Sequence, residues 1–126
     1  MIDSILAPFI KGRKTHLVSD ASPHGISASV YQEEDDGTWI PVDHTSRALS
    51  KHEQAWQSQI DWESLAKMWG MQIFRPYLVG TKFTSWGDHQ PLLPFYNDLT
   101  KPAPARIAKH RSRIIDLEFT DKYLSL

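Results

Sequence analysis

Alternation of apolar and polar positions marks the first third of the chain, and a three-and-four spacing marks its middle. Ile26-Ser27-Ala28-Ser29-Val30-Tyr31 alternates with period two, which predicts a strand with one face buried. A short apolar run, Thr15-His16-Leu17-Val18-Ser19-Asp20, precedes it and ends on an acid. The two are joined by Asp20-Ala21-Ser22-Pro23-His24-Gly25, a turn by its Pro and Gly and by Ser and Asp side chains able to bond the backbone. Glu33 to Gly37 reads as a hairpin turn, and Thr38 to His44 as the returning strand, with Pro41 marking an edge or a bulge. The economical topology is a three-stranded antiparallel meander.

A long helix is expected from about Ser50 to Phe74. Ser50-Lys51-His52-Glu53 matches the capping box, Trp62, Leu65, Trp69 and Ile73 recur as one apolar stripe, and Pro76 ends the pattern. A fourth strand, Thr81 to Trp86, follows Gly80. The turn Asp88-His89-Gln90-Pro91-Leu92-Leu93 leads into a short helix, a Pro-rich connection and a basic helix from about Ala105 to Ile115. Leu117 to Leu124 alternates as a fifth strand. The order β-β-β-α-β-α-β predicts an α/β fold, a five-stranded mixed sheet with helices packed on it. Residues 1–13 read as a lead-in, and 14–126 as the single domain that this length supports.

Composition narrows the chemistry. The absence of cysteine excludes disulfides, thiolate zinc sites and cysteine nucleophiles, and fits an intracellular setting. No apolar stretch reaches the length of a membrane span, and the first residues lack the basic and apolar regions of a signal peptide. No histidine pair has zinc spacing, no serine has a His/Asp arrangement, and there is no Gly-rich phosphate loop. The net charge of −1 rules out a general polyanion binder, yet Lys101, Arg106, Lys109, Arg111 and Arg113 cluster without an intervening acid. A solvated helix face and a phosphate-contacting surface both account for that cluster.

Three acids fall where a carboxylate can be held rigidly: Asp20 at a strand end, Glu63 on the long helix, and Asp88 after the fourth strand. Carboxylates gathered from two strand ends and a helix suit hard divalent cations, which prefer oxygen donors. Asp20 and Asp88 as turn caps and Glu63 as a surface acid is the plainer alternative. Trp56, Trp62, Trp69 and Trp86 are expected in the core, while Trp39, on an edge strand, is the one to find exposed.

The motifs around these acids carry a resemblance. Ser19-Asp20-Ala21-Ser22, Gly25-Ile26, Thr45-Ser46-Arg47-Ala48-Leu49-Ser50, Glu63-Ser64-Leu65-Ala66, Phe74 to Phe83, and Asp88-His89-Gln90-Pro91-Leu92 occur in an order that resembles the ribonuclease H domain of reverse transcriptases. The gypsy-type branch of LTR retrotransposons is the most similar, over residues 14 to 124. The resemblance implies a ribonuclease H-like fold and hydrolysis of the RNA strand of RNA–DNA hybrids. It also implies two Mg²⁺ or Mn²⁺ ions, with Asp20, Glu63 and Asp88 as ligands. Partners would be the hybrid and the polymerase domain of the same polyprotein, in a cytoplasmic, virus-like-particle setting with access to the nucleus. Arg47, His89, Arg106, Lys109 and Arg111 become candidates for nucleic-acid contact, the basic helix tracking DNA-strand phosphates.

The chain departs from the family's pattern twice. Gly87 stands where the family usually has Thr. The family's fourth acid lies in an A-D-A-L-S-R-like segment on a helix after the fifth strand. The sequence to Leu126 contains no such segment, and neither Asp116 nor Asp121 matches it. Weak or absent cleavage by this chain alone is therefore expected, and a catalytically degenerate, connection-type module that binds nucleic acid or a polymerase partner is the rival reading.

Overall fold

The computed structural model describes residues 6–125. Strands β1 (Thr15–Ala21), β2 (Gly25–Glu33) and β3 (Trp39–Ala48) form the meander, and β4 (Lys82–Gly87) and β5 (Glu118–Tyr123) complete one five-stranded sheet in the order β3-β2-β1-β4-β5. β1–β2 and β2–β3 pair antiparallel, while β1–β4 and β4–β5 pair parallel, as expected for a mixed sheet. The register of β2 against β3 shifts between Val30 and Tyr31, opposite Pro41 on the edge strand. A proline cannot donate to the ladder, so the bulge falls beside it. β3 runs four residues beyond the expected His44, because Thr45 to Ala48 pair with Ala28 to Gly25.

The single helix expected over 50–74 is two helices, α1 (Lys51–Gln54) and α2 (Gln59–Ile73). Gln57 adopts a left-handed φ of 46°, which breaks the helical path. Ser58 then restarts it, its side chain accepting from the Asp61 N–H. The capping box at Ser50 and Glu53 is present in full, at the start of the shorter helix. Trp62 Nε1 donates to the Glu53 carbonyl at 2.8 Å, which also accepts the Trp56 N–H, and so ties α2 to the end of α1. The expected apolar stripe is also displaced. Ile73 is 47% exposed and Trp69 only half-buried, while Trp62, Leu65, Met68 and Met71 line the core. α2 approaches the sheet closely at Gly70, where an added Cβ would lie 2.6 Å from Ala28 Cβ.

Pro76 sits in the first turn of the short helix α3 (Arg75–Leu78). A 3₁₀ turn at Gln90–Leu92 leads into α4 (Leu93–Asn97), and α5 (Ala105–Ser112) is the basic helix. Leu17, Ala28 and Val30 from the sheet meet Leu65, Ala66 and Met71 from α2 in the core, which extends to Tyr96 and Ile107. Buried polar groups tie these layers together: Ser64 Oγ lies 2.7 Å from Tyr96 Oη and 2.8 Å from His110 Nδ1. Burial lowers the His110 pKa to about 4, so this imidazole is neutral in the network. On the opposite face of the sheet Trp39 stacks on His16 at 3.8 Å, and Trp86 Nε1 donates to His16 Nδ1 at 2.9 Å. Trp39 and Trp86 are both half-buried as a result. Of the lead-in, residues 1–5 lie outside the described residues. The remainder is docked by Gln32, whose side chain bonds both the N–H and the carbonyl of Ile10, and by Phe9 stacked on Tyr77. Among the described residues no helix is long and apolar enough to cross a membrane.

Candidate active site

Two parallel strands and one helix converge at one end of the sheet. Asp20 lies near the end of β1, Asp88 directly follows β4, and β1 and β4 run side by side in the same direction. Glu63 lies in the second turn of α2. The start of that helix is tied to the same end by Gln59 Nε2, which donates to the Ala21 carbonyl at 3.1 Å.

The three carboxylates have different surroundings. Asp20 is exposed and accepts the Ala21 N–H at Oδ1, 3.0 Å away. Asp88 is half-buried. Glu63 is 5% exposed, and its Oε1 is buried without a hydrogen-bond partner. Burial pushes its pKa up to about 7, the nearby Asp20 charge adds to that rise, Lys67 opposes it, and Asp88 contributes a smaller rise. An acid in this condition calls for a positive partner.

Oxygen donors with one member already stripped of water fit a hard divalent cation. The side chains stand wider apart than an ion requires: among the described residues no three His, Asp or Glu side chains are gathered closely enough to hold one. Any ion would have to draw them in.

Other residues singled out in the sequence divide into two sets. His89 borders a small cavity with Glu63, Ser19 and Gly87. Arg47 borders a shallow groove with Asp20, Ser27 and Ser46, while its guanidinium forks onto Glu53 at 2.8 and 2.9 Å and lies over the Trp69 ring. Lys109 is exposed on α5. Arg106 pairs with Asp61 at 2.7 Å and covers Trp56, whose ring is 4.3 Å from the guanidinium carbon. Arg111 is a correction to the expected basic face. It is 6% exposed and donates to the carbonyls of Phe95, Asp98 and Lys101, clamping the Pro-rich connection onto α5. Its guanidinium is spent on backbone acceptors.

Sequence reasoning passed over Lys67, one turn beyond Glu63, and set aside Asp121, which is its buried partner. A lysine between Ala66 and Met68 on the inner side of the helix was the available signal.

This fold is ribonuclease H-like. It superposes on a foamy viral protease-reverse transcriptase in complex with dsDNA with a TM-score of 0.75 at 13% identity, over 97% of this chain and 25% of that one. Ribonuclease H1 from Halobacterium salinarum gives 0.62 at 10% identity, over 89% and 86%. Residues 11–116 match the family model of the RNase H-like domain found in reverse transcriptase, and the chain belongs to that family. A retrovirus-related Pol polyprotein from transposon 297 of Drosophila melanogaster is 34% identical over 89% of this chain. A Tf2-3 transposon polyprotein of Schizosaccharomyces pombe is 29% identical over 94%. The chain spans 10% and 9% of those polyproteins. It is the RNase H-like domain of a retroelement reverse transcriptase.

Proposed function

We propose that this domain hydrolyses the RNA strand of RNA–DNA hybrids, with Asp20, Glu63 and Asp88 as ligands for two Mg²⁺ or Mn²⁺ ions. The observation that carries this reading is the buried, unpartnered Oε1 of Glu63, on an acid whose pKa is raised first by burial and then by the charge of Asp20. Bound divalent ions would supply an activated water and stabilise the leaving oxygen. The chain's own part is to hold the three carboxylates on rigid elements and to position the hybrid. Asp20, exposed at a strand end, presents its carboxylate to solvent and to an incoming phosphate. Glu63 anchors the site from beneath. Lys109 and Arg106, on α5, would meet DNA-strand phosphates, Arg106 by giving up its pairing with Asp61, while Arg47 borders the groove of Asp20 and His89 the cavity of Glu63. Hybrid selection would rest on groove shape and 2′-hydroxyl contacts. A foamy viral protease-reverse transcriptase in complex with an RNA/DNA hybrid, which shares this fold at a TM-score of 0.61, supports the choice of substrate.

The test is cleavage of an end-labelled hybrid in Mn²⁺ by wild type and Asp20→Asn. Loss of a ligand is expected to reduce cleavage at least about 100-fold, the upper end of what replacing even a ligand's supporting partner costs. Equal cleavage by both would refute the reading.

A further inference from the structure

One charged pair beneath the carboxylates is left unused by that reading. The Lys67 and Asp121 side chains are 3% and 1% exposed. Lys67 Nζ donates to Asp121 Oδ1 at 2.7 Å and to Ser85 Oγ at 3.2 Å. Asp121 is held from its other side by Asn97, which accepts the Asp121 N–H at 2.6 Å and donates to its carbonyl at 2.9 Å. A buried ion pair seldom stabilises a fold more than apolar side chains of the same volume would, so stability alone gives little account of it.

Its location gives a better one. Lys67 and Asp121 border the same cavity as Glu63, Ser19, Gly87 and His89, a space of 10 Å³ that is about the size needed for one water molecule. Glu63, with its unpartnered buried oxygen, is one wall of that space and Asp121 is another. Gly87 is what admits the ammonium: a Cβ at that position would lie 3.0 Å from Lys67 Nζ. An acid fixed at its backbone, desolvated, and facing a cavity that it shares with Glu63 has the attributes of a metal ligand. Here its charge is taken by a lysine.

Resting on the metal-dependent reading above, we infer that Asp121 is a fourth carboxylate of this site, masked by the ammonium of Lys67. A divalent ion entering beside Glu63 must displace that ammonium, so its binding is coupled to opening of the Lys67–Asp121 pair. Without Lys67, Asp121 becomes available to the ion.

The experiment is Mn²⁺ titration of the whole chain, followed by calorimetry and by the free-Mn²⁺ electron paramagnetic resonance signal. Lys67→Met is expected to tighten the weaker Mn²⁺ site about tenfold or more, the size of a one-unit opposite-charge effect on a carboxylate. Adding Asp121→Asn to Lys67→Met should abolish the gain. Gly87→Ala, which crowds the ammonium without removing it, should shift affinity the same way by less, and it serves if Lys67→Met does not fold. No gain in these variants, or a gain that survives Asp121→Asn, overturns the assignment. Asp20→Asn separates the two readings. If it loses Mn²⁺ while Lys67→Met matches wild type, only the Asp121 assignment falls. If it binds as wild type does while Lys67→Met gains through Asp121, the inner ligand stands and the Asp20 site falls. Absence of Mn²⁺ binding in every form overturns both.

Discussion

Replacing Glu63 by glutamine should make the ion-free protein more stable at alkaline pH. The Glu63 carboxyl is raised from 4.5 to about 7, first by burial and then by the charge of Asp20. The folded chain therefore holds this proton more tightly than the unfolded chain. The associated stability is complete below about pH 4.5 and is lost as the pH rises through about 7. At about 1.36 kcal/mol for each pH unit, an ionised Glu63 at pH 8 costs the folded state roughly 3 kcal/mol. Glutamine keeps the shape and removes the charge, but its amide inherits the partnerless position of Oε1. About 1–2 kcal/mol of net gain is expected. Urea denaturation followed by tryptophan fluorescence at pH 8 and pH 4.5, in chelator, measures it. The variant should exceed wild type at pH 8, and the advantage should vanish at pH 4.5. Saturating Mn²⁺ should reverse the order, because an ion at 100 times its Kd adds about 2.7 kcal/mol to the form that binds it. A Glu63→Gln protein no more stable than wild type at pH 8 would refute the view that Glu63 is a strained, ion-awaiting acid.

Two further outcomes test the scaffold. Glu53 accepts both arms of Arg47 and the Ser50 N–H, and the Arg47 bond, more than any other cause, holds its pKa down to about 2. Glu53→Gln should cost about 1–2 kcal/mol at pH 7, a figure reduced because Arg47 is a third exposed. This depressed acid contributes its stability above about pH 4.5 and loses it toward pH 2, so the two denaturation curves should merge there; a gap persisting at pH 2 would contradict the ion pair. Gly70→Ala brings a methyl to 2.6 Å from Ala28 Cβ and should destabilise by about 1–3 kcal/mol. An unchanged melting temperature would show that the contact yields freely.

The strands were legible because alternation reports which face is buried. Ile26 to Tyr31 did so cleanly, with Ile26, Ala28 and Val30 inside. Pro41 foretold its bulge for the same local reason, a missing N–H. The helix was misjudged where local and tertiary signals compete. Ser58, three residues before Asp61, was a second cap in plain view, but joining the capping box at Ser50 to the apolar stripe that begins at Trp62 concealed the turn at Gln57. Asp20 and Asp88 were visible as strand-end acids within ordered motifs. Lys67 and Asp121 were not, because they are 54 residues apart and only the parallel pairing of β4 with β5 brings Asp121 beside Ser85 and Lys67. Arg111 was misplaced by composition: a run of basic residues does not distinguish a guanidinium facing solvent from one folded back on carbonyls.

The close approach at Gly70 has a mechanical meaning. Glu63 lies seven residues earlier on α2, about 10 Å along the axis and on almost the same side of the helix. Gly70 is thus a fulcrum, and the carboxylate rides on the arm of a lever resting on Ala28. A bulkier residue at the fulcrum would tilt that arm and shift Glu63 relative to Asp20 and Asp88, whose places are set by the sheet. How accurately these acids can be aligned is then decided well away from them, by the smallest side chain on the helix.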